Sequence, residues 1–206
     1  MVRLLGLWID NKYRFDVHTQ KVLQKLRFKL ANLSKVRPYL GQRRARLIVE
    51  SLIHSTINYM AILYLRLPSN QKKVQKLLNR AGRLVLKADP LSHVEDVLRE
   101  TYWLNVPNMY RYALIVTFRR LKNYGCTAPI SFQNLFYTQP NLYKLRKIHS
   151  RVQWSRITSF GRESFIYQAS WLYNSMELNG EYFRDEDKFK GDIKFRLFSR
   201  FENGNC

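Results

Sequence analysis

The sequence predicts a mainly α-helical protein, in which a short β-strand precedes a basic unit of three helices and a second helical region follows. Two observations lead to the helical part of this prediction, and a third accounts for its basic character. Apolar residues recur at three- and four-residue steps over long stretches. Pro and Gly residues interrupt those stretches at intervals typical of helix ends. Finally, 36 Lys and Arg against 15 Asp and Glu give a net charge of +21, which indicates a polyanionic partner.

The positive charge is concentrated in the first half of the chain. Residues 1–90 carry a net charge of +15, whereas residues 91–206 carry only +6. A single acid, Glu50, interrupts the stretch between Val17 and Ala88. We therefore expect two regions, 1–90 and 91–206, with the binding face in the first.

The elements are predicted in chain order from the apolar pattern. The run at residues 4–9 predicts the strand, and the first helix is expected from Asp16 to Val36 with Asp16 as its N-cap. A second helix is expected from about Gln42 to Leu67, ended by Pro68, and a third from about Gln71 to Ala88. Four later segments also have helical patterns: "HVEDVLRETYW", "NMYRYALIVTFRRLKNYG" stopped by Gly125, "SFGRESFIYQASWLYNSM" and "EDKFKGDIKFRLFSRF".

The third predicted helix carries five cations at steps of four, four, three and four residues. On a 3.6-residue turn they share one face, in a line of roughly 22 Å at 1.5 Å per residue. The line consists of Lys72, Lys76, Arg80, Arg83 and Lys87. Either the face is merely solvated or it contacts a nucleic-acid backbone. The absence of any acid before Asp89 favours the nucleic acid, because a solvated helix usually mixes both signs of charge.

Further basic residues extend the predicted nucleic-acid-binding surface onto the other two helices. They are Lys25 and Lys29 in the first helix, and Arg43, Arg44 and Arg46 at the start of the second. Together with the line they are expected to form one strongly positive side of the three-helix unit. Because the apolar residues belong to a core, a membrane partner is not expected.

No residue of this chain is predicted to be catalytic or to bind a metal. Asp10 and Asp16 flank a predicted turn, "DNKYRF", and structural roles are favoured for both. The chain has no adjacent Asp-Asp pair for two-metal chemistry, and its four histidines lack ligand spacing. Cys126 and Cys206 form no disulfide framework, so we expect an intracellular location, the nucleus included.

Several segments of the chain follow, in order, the motifs of one known family. "LLGLWIDNKYRFDVHTQKVLQKL" is similar to the family's "YLGxxID…F..H" segment, and "ESLIHSTINY" to the next helix. "VQKLLNRAGRLVL" resembles "LQ..QNRAxR.I" through Asn79, Arg80, Ala81 and Arg83. "YWL", "YKLR", "SFIYQASWLYNS" and a final helix near Phe189 follow. Two departures are "YLRLP" in place of a Trp-Gly pair and "LYNSME" in place of "LWNxLP".

Through these motifs the chain resembles the C-terminal region of non-LTR (LINE-type, jockey-like) retrotransposon reverse transcriptases. The resemblance implies that residues 1–90 are a thumb-like unit with a palm-junction strand. In the family, the Mg²⁺-binding carboxylates belong to an "[FY]xDD" hairpin of the palm, upstream of the segment that contains Asp10. The chain itself is therefore expected to hold no cofactor and to be inactive alone. Its expected partners are RNA or an RNA–DNA hybrid and the missing palm of the parent polyprotein.

Three functional hypotheses remain open from the sequence. The first is a non-catalytic fragment of an RNA-directed DNA polymerase that binds template–primer or element RNA through phosphates. The second is a free-standing, domesticated RNA- or DNA-binding protein. The third is a protein-interaction fragment that uses aromatic residues of the second half: Tyr167, Trp171, Tyr173, Phe195 and Phe198.

Overall fold

The structure, a computed structural model, describes residues 1–124, 164–176 and 185–202. Gly125, Cys126, the "YKLR" segment and Cys206 lie outside the described residues. The described chain is mainly α-helical, as predicted, and its one sheet has two strands. It divides into two compact units, Met1–Tyr110 with Phe198–Cys206, and Arg111–Leu197. The domain boundary near residue 90 stays a prediction, because compactness alone does not define a domain.

The predicted single strand is in fact a β-hairpin. Strand β1 (Val2–Leu4) pairs antiparallel with β2 (Leu7–Ile9), with Val2 opposite Ile9. The two turn residues, Leu5 and Gly6, have φ values of 48° and 82°, as a tight hairpin turn with the natural strand twist requires. Arg3 lies over the Trp8 ring, 5.6 Å from its centre, so a cation–π contact supports the pair.

Helix α1 spans Asp16–Val36, which confirms the predicted bounds. Its buried face consists of residues at three- and four-residue steps, and these steps are the signal that predicted it. They are His18, Thr19, Val22, Leu23, Leu26, Leu30 and Leu33.

The predicted N-cap role of Asp16 is wrong. Asp16 is already inside the helix, and Phe15 precedes it in the left-handed conformation with no side-chain cap. The carboxylate that orders this turn belongs to Asp10, whose Oδ1 accepts hydrogen bonds from the backbone N–H groups of Lys12 at 3.1 Å and Arg14 at 2.9 Å. The turn therefore uses the Asx geometry typical of its first residue.

The predicted continuous second helix is also wrong. The chain forms α2 (Gln42–Val49), a π-helical turn (Glu50–His54), α3 (Ser55–Asn58) and α4 (Ala61–Tyr64). Between α3 and α4, Tyr59 is extended and Met60 is left-handed with φ 54°. Tertiary contacts stabilise this break, since the Tyr59 hydroxyl donates to the Leu5 carbonyl and the buried Tyr64 hydroxyl to that of Ile57.

Helix α5 spans Pro68–Leu86 and so begins three residues earlier than predicted. Pro68 starts the helix instead of breaking its neighbour, because proline suits the first helical position. The side-chain amide of buried Asn70 donates to the carbonyls of Arg14 and Tyr64, each at 3.0 Å. These bonds tie the start of α5 to the chain before α1.

The core of the first unit lies between α5 and the helices on either side of it. Helix α5 packs against α1 and against α6 (Val94–Thr101). At the α6 contact a Cβ added to Gly82 would lie 2.5 Å from Val97 Cγ1. Only glycine permits this approach.

Three further helices follow in the described chain: α7 (Val106–Tyr124), α8 (Phe165–Ser175) and α9 (Glu186–Glu202). Ser164 caps α8 through a hydrogen bond from Tyr167 N at 3.3 Å. In the second unit Arg120 pairs with Glu186, with Nη2 2.7 Å from Oε1. Within the described residues, no helix combines the length and apolar character needed to cross a membrane.

Candidate nucleic-acid interface

The five cations predicted on the third helix are named here the α5 line: Lys72, Lys76, Arg80, Arg83 and Lys87. Lys72, Lys76 and Arg80 are exposed on α5. The opposite face of the helix contains Val74, Leu78, Ala81 and Val85, all fully or almost fully buried. Because this apolar face packs into the core, the exposed cations of the opposite face are directed away from it.

Four members of the α5 line have no intramolecular partner among the described residues. None of the ion pairs or side-chain hydrogen bonds there involves Lys72, Lys76, Arg80 or Lys87. The nearest basic neighbour that does pair is Lys73, whose Nζ lies 3.9 Å from Asp16 Oδ1. These four charges are therefore available to an external anion.

Arg83 and Lys87 depart from the simple line. Arg83 is half-buried, and its Nη2 donates to the Ser92 carbonyl at 2.8 Å. Its Nε is buried and has no acceptor among the described residues. Lys87 lies one residue beyond the helix in the left-handed conformation, with φ 54°, and is exposed.

The two predicted cations of α1 lie on a different flank of that helix from Leu30 and Ser34, which border α5. Lys29 Nζ donates to Thr56 Oγ1 at 2.6 Å and to the Leu52 carbonyl at 3.0 Å. Lys25, one turn earlier on the same flank, is exposed. Leu30 and Ser34 are the α1 residues that share a pocket with α5. The single positive side expected from the sequence stays a prediction.

The α2 cations also divide into exposed and paired residues. Arg43 and Arg44 are exposed, whereas Arg46 Nε donates to Glu50 Oε1 at 2.9 Å. The same oxygen accepts from Trp103 Nε1 at 2.9 Å. Burial alone raises the pKa of Glu50, but these two hydrogen bonds and the charge of Arg46 outweigh it and hold the pKa below its ordinary value of 4.5.

A pocket borders each end of the α5 line. The α1–α5 pocket, about 530 Å³, adjoins Arg80, Arg83 and Lys87. The α5–α6 pocket, about 490 Å³, adjoins Lys72 and Lys76. Residue spacing did not indicate either pocket, because both depend on the way neighbouring helices pack.

Arg37 is a structural residue that the spacing of the cations did not reveal. It is buried, and its guanidinium donates to the carbonyls of Leu84 at 2.8 Å and Val85 at 2.6 Å. These carbonyls belong to the last turn of α5, which has no intrahelical donor for them. Arg37 thus joins the end of α1 to the end of α5.

The described residues contain no group of three or more His, Cys, Asp or Glu side chains able to hold a metal ion. The carboxylate of Asp10 lies in the turn described above, where it accepts the backbone hydrogen bonds from Lys12 and Arg14. Burial raises the pKa of Asp10, but four backbone N–H groups that face the carboxylate together lower the pKa by more, so the net shift is downward. The expectation of no cofactor in this chain stays a prediction.

Comparison with known proteins yields no match to a family model, a curated protein or a solved structure. The resemblance to retrotransposon reverse transcriptases therefore stays a prediction, carried by the motifs quoted above.

Proposed function

We propose that the chain binds nucleic acid through the phosphate backbone, with the α5 line as its principal contact surface. The proposed ligand is RNA or an RNA–DNA hybrid. In this account the chain is the non-catalytic C-terminal part of a retrotransposon RNA-directed DNA polymerase. The parent's palm supplies the Mg²⁺ chemistry, and the thumb-like unit holds template and primer.

One observation carries the proposal: the exposed cations of the α5 line, Lys72, Lys76, Arg80 and Lys87, have no carboxylate partner in the described chain. Unpaired cations at three- and four-residue steps repel one another, so their arrangement costs stability unless an anion neutralises them. A polyphosphate backbone supplies anions in a row, and each Lys or Arg that neutralises a phosphate releases a condensed counterion. The net charge of +21 adds long-range attraction for the same ligand.

Binding of this kind is expected to be nearly indifferent to base sequence, because phosphate contacts carry no direct sequence information. We expect a 20-nucleotide RNA, its scrambled version and the matching RNA–DNA hybrids to bind with similar affinity at fixed salt in a filter-binding or fluorescence-anisotropy assay. The binding free energy of a sequence-specific complex is more favourable than that of a non-specific complex by about 4 kcal/mol or more. A preference of that size for one sequence contradicts backbone binding.

A free-standing RNA- or DNA-binding protein has the same interface, so the α5 line supports it equally. The two accounts differ in the transcript: a palm-encoding frame upstream of Met1 identifies the fragment, and a separate message identifies the free-standing protein.

A protein-interaction role is the second candidate, and exposed aromatic residues favour it. The Trp171 side chain is 63% exposed and that of Phe195 is 70% exposed. Of the other aromatic residues predicted for this role, Tyr167 is half-buried, Tyr173 is buried, and Phe198 stacks on Tyr102 with 5.9 Å between the ring centres. Dimerisation or aggregation that disappears in Trp171→Ser supports this role.

A further inference from the structure

The α1–α5 pocket has the composition of a binding site for a phosphorylated ligand. Its volume, about 530 Å³, lies within the range of roughly 300–1,000 Å³ typical of small-molecule sites. Four cations line it: Arg37, Arg80, Arg83 and Lys87. None of the described residues that line it is acidic. A pocket with this charge selects an anion.

Arg83 provides a directed donor without an acceptor. The bond from its Nη2 to the Ser92 carbonyl fixes the orientation of the guanidinium, and its Nε is buried without a partner in the described chain. A buried donor left unpaired costs more than the average hydrogen bond contributes. Phosphate oxygens fit this donor well, because the planar guanidinium presents its N–H groups in a fixed fork.

Arg37 removes the main electrostatic objection to an anion at this place. The pocket adjoins the C-terminal end of α5, and the carbonyls at a helix C-terminus carry negative partial charge that repels anions. Arg37 donates to the carbonyls of Leu84, Val85 and Leu40. It therefore neutralises the helix end, while Arg80, Arg83 and Lys87 remain for the ligand.

Apart from Ser34, whose hydroxyl donates to the Ala31 carbonyl at 2.7 Å, the rest of the lining is apolar and suits a body larger than a phosphate ion. Leu30, Leu84 and Pro90 contribute side chains that offer no hydrogen bonds to an anion. Apolar and polar surfaces side by side match a nucleotide, which joins an anionic phosphate to a sugar and a flat base. We propose that the α1–α5 pocket binds one nucleotide, with its phosphate on Arg83 and its base on the apolar wall.

The test uses the full chain and three probes: AMP, adenosine and inorganic phosphate, measured by isothermal titration calorimetry. We expect AMP to bind about tenfold more tightly than either adenosine or phosphate, since a charge-assisted hydrogen bond accounts for about a factor of ten or more. Arg83→Lys keeps the charge and removes the fork, so AMP affinity is expected to fall about tenfold. Arg27→Lys, the matched control at an exposed position of α1 outside the pocket, leaves it unchanged.

Lys87→Gln gives a second test should Arg83→Lys unfold the chain. Lys87 is exposed and has no side-chain partner in the described structure, so the fold is preserved. AMP affinity is expected to fall about threefold, the effect of one screened charge contact. The proposal is overturned if AMP binds no better than adenosine, if phosphate alone binds as well as AMP, or if Arg83→Lys and Arg27→Lys have equal effects.

A competing oligonucleotide distinguishes the two sources of such a nucleotide. Displacement of AMP by single-stranded RNA identifies the bound nucleotide as a unit of a strand, and simultaneous binding identifies a free nucleotide. AMP affinity tests whether the pocket binds a nucleotide. The salt dependence of polymer binding tests whether the α5 line contacts a phosphate backbone, so the two proposals can fail separately.

Discussion

At the scale of single residues, the cations of this chain differ in what they contact. Arg37 caps a helix, Lys29 bonds α3 and the π-helical turn, and Arg46 pairs with Glu50. The exposed members of the α5 line have no such partner in the described chain. A cation available to a ligand is therefore recognised by its lack of an internal acceptor rather than by its charge.

Glu50 is expected to stabilise the fold, because it accepts hydrogen bonds from both Arg46 and Trp103. Glu50→Gln removes the charge while leaving one oxygen acceptor. Because the site is about a third exposed, we expect a loss of about 1 kcal/mol in the free energy of unfolding by urea. Glu100→Gln, at an exposed position of α6, is the control and changes little. Equal losses of unfolding free energy in Glu50→Gln and Glu100→Gln would contradict a stabilising role for the Glu50 hydrogen bonds.

The Glu50 contribution also has a defined pH dependence. Its folded pKa is lowered below 4.5, so the stabilisation is present above pH 4.5 and is lost as the pH falls through the folded pKa. The difference in stability between the native chain and Glu50→Gln should therefore shrink below pH 4.5.

His18 is expected to make the fold sensitive to mild acid. Its side chain is buried edge-on to Tyr64, at 5.1 Å between ring centres, and neither ring nitrogen has a partner among the described residues. Burial, and then the Lys25 charge, lower its pKa below 6.5. The neutral ring is favoured in the fold, so stability is complete above pH 6.5 and decreases as the pH falls towards the folded pKa.

The measurement is urea unfolding at pH 7.5, 6.5 and 5.5, with His18→Phe as the comparison. The native chain should lose up to about 1.4 kcal/mol per pH unit more than the variant below pH 6.5. Identical pH profiles exclude His18 as the responsible group.

At the scale of elements, the contact between α5 and α6 depends on Gly82. A Cβ at this position would lie 2.5 Å from Val97 Cγ1, so Gly82→Ala forces the helices apart. The overpacking is expected to cost about 1–3 kcal/mol and to exceed the gain in helix propensity of about 1 kcal/mol. Thermal unfolding followed by circular dichroism measures the net loss.

Gly191 in α9 is the matched control, because an added Cβ meets nothing within 4 Å there. Gly191→Ala should stabilise the chain by roughly 0.5–1 kcal/mol. Truncating the facing residue in Gly82→Ala/Val97→Ala should recover part of the loss. A destabilising Gly191→Ala, or a neutral Gly82→Ala, contradicts this account of the contact.

The elements differ in how far the sequence predicts them. The bounds of α1 could be predicted because its buried residues recur at three- and four-residue steps, and this repeat is visible in the sequence alone. The predicted helix over 42–67 is apolar on most faces, so the spacing of its apolar residues does not indicate the break at Tyr59 and Met60. The hydrogen bond from the Tyr59 hydroxyl to the distant Leu5 carbonyl stabilises this break. The α5 line is visible as spacing, whereas the Arg83–Ser92 bond and both pockets depend on tertiary packing.

At the scale of the whole molecule, the central question is whether the net charge of +21 acts diffusely or through one surface. Diffuse attraction depends on the number of charges removed, irrespective of their position. A contact surface depends on which charges are removed, because only cations at a phosphate release counterions. The two accounts therefore differ in the salt dependence of variants with equal net charge.

The most direct measurement is the slope of log affinity against log salt for an RNA–DNA hybrid, for the native chain and two triple variants. Lys72→Gln/Lys76→Gln/Arg80→Gln removes three exposed cations of the α5 line with little change in helix propensity. Lys12→Gln/Lys188→Gln/Lys194→Gln removes three exposed cations elsewhere. The α5 variant should have a slope shallower by about 2–3 units, and the control by less than about 1. Equal changes in the two variants would show diffuse attraction and contradict the α5 interface.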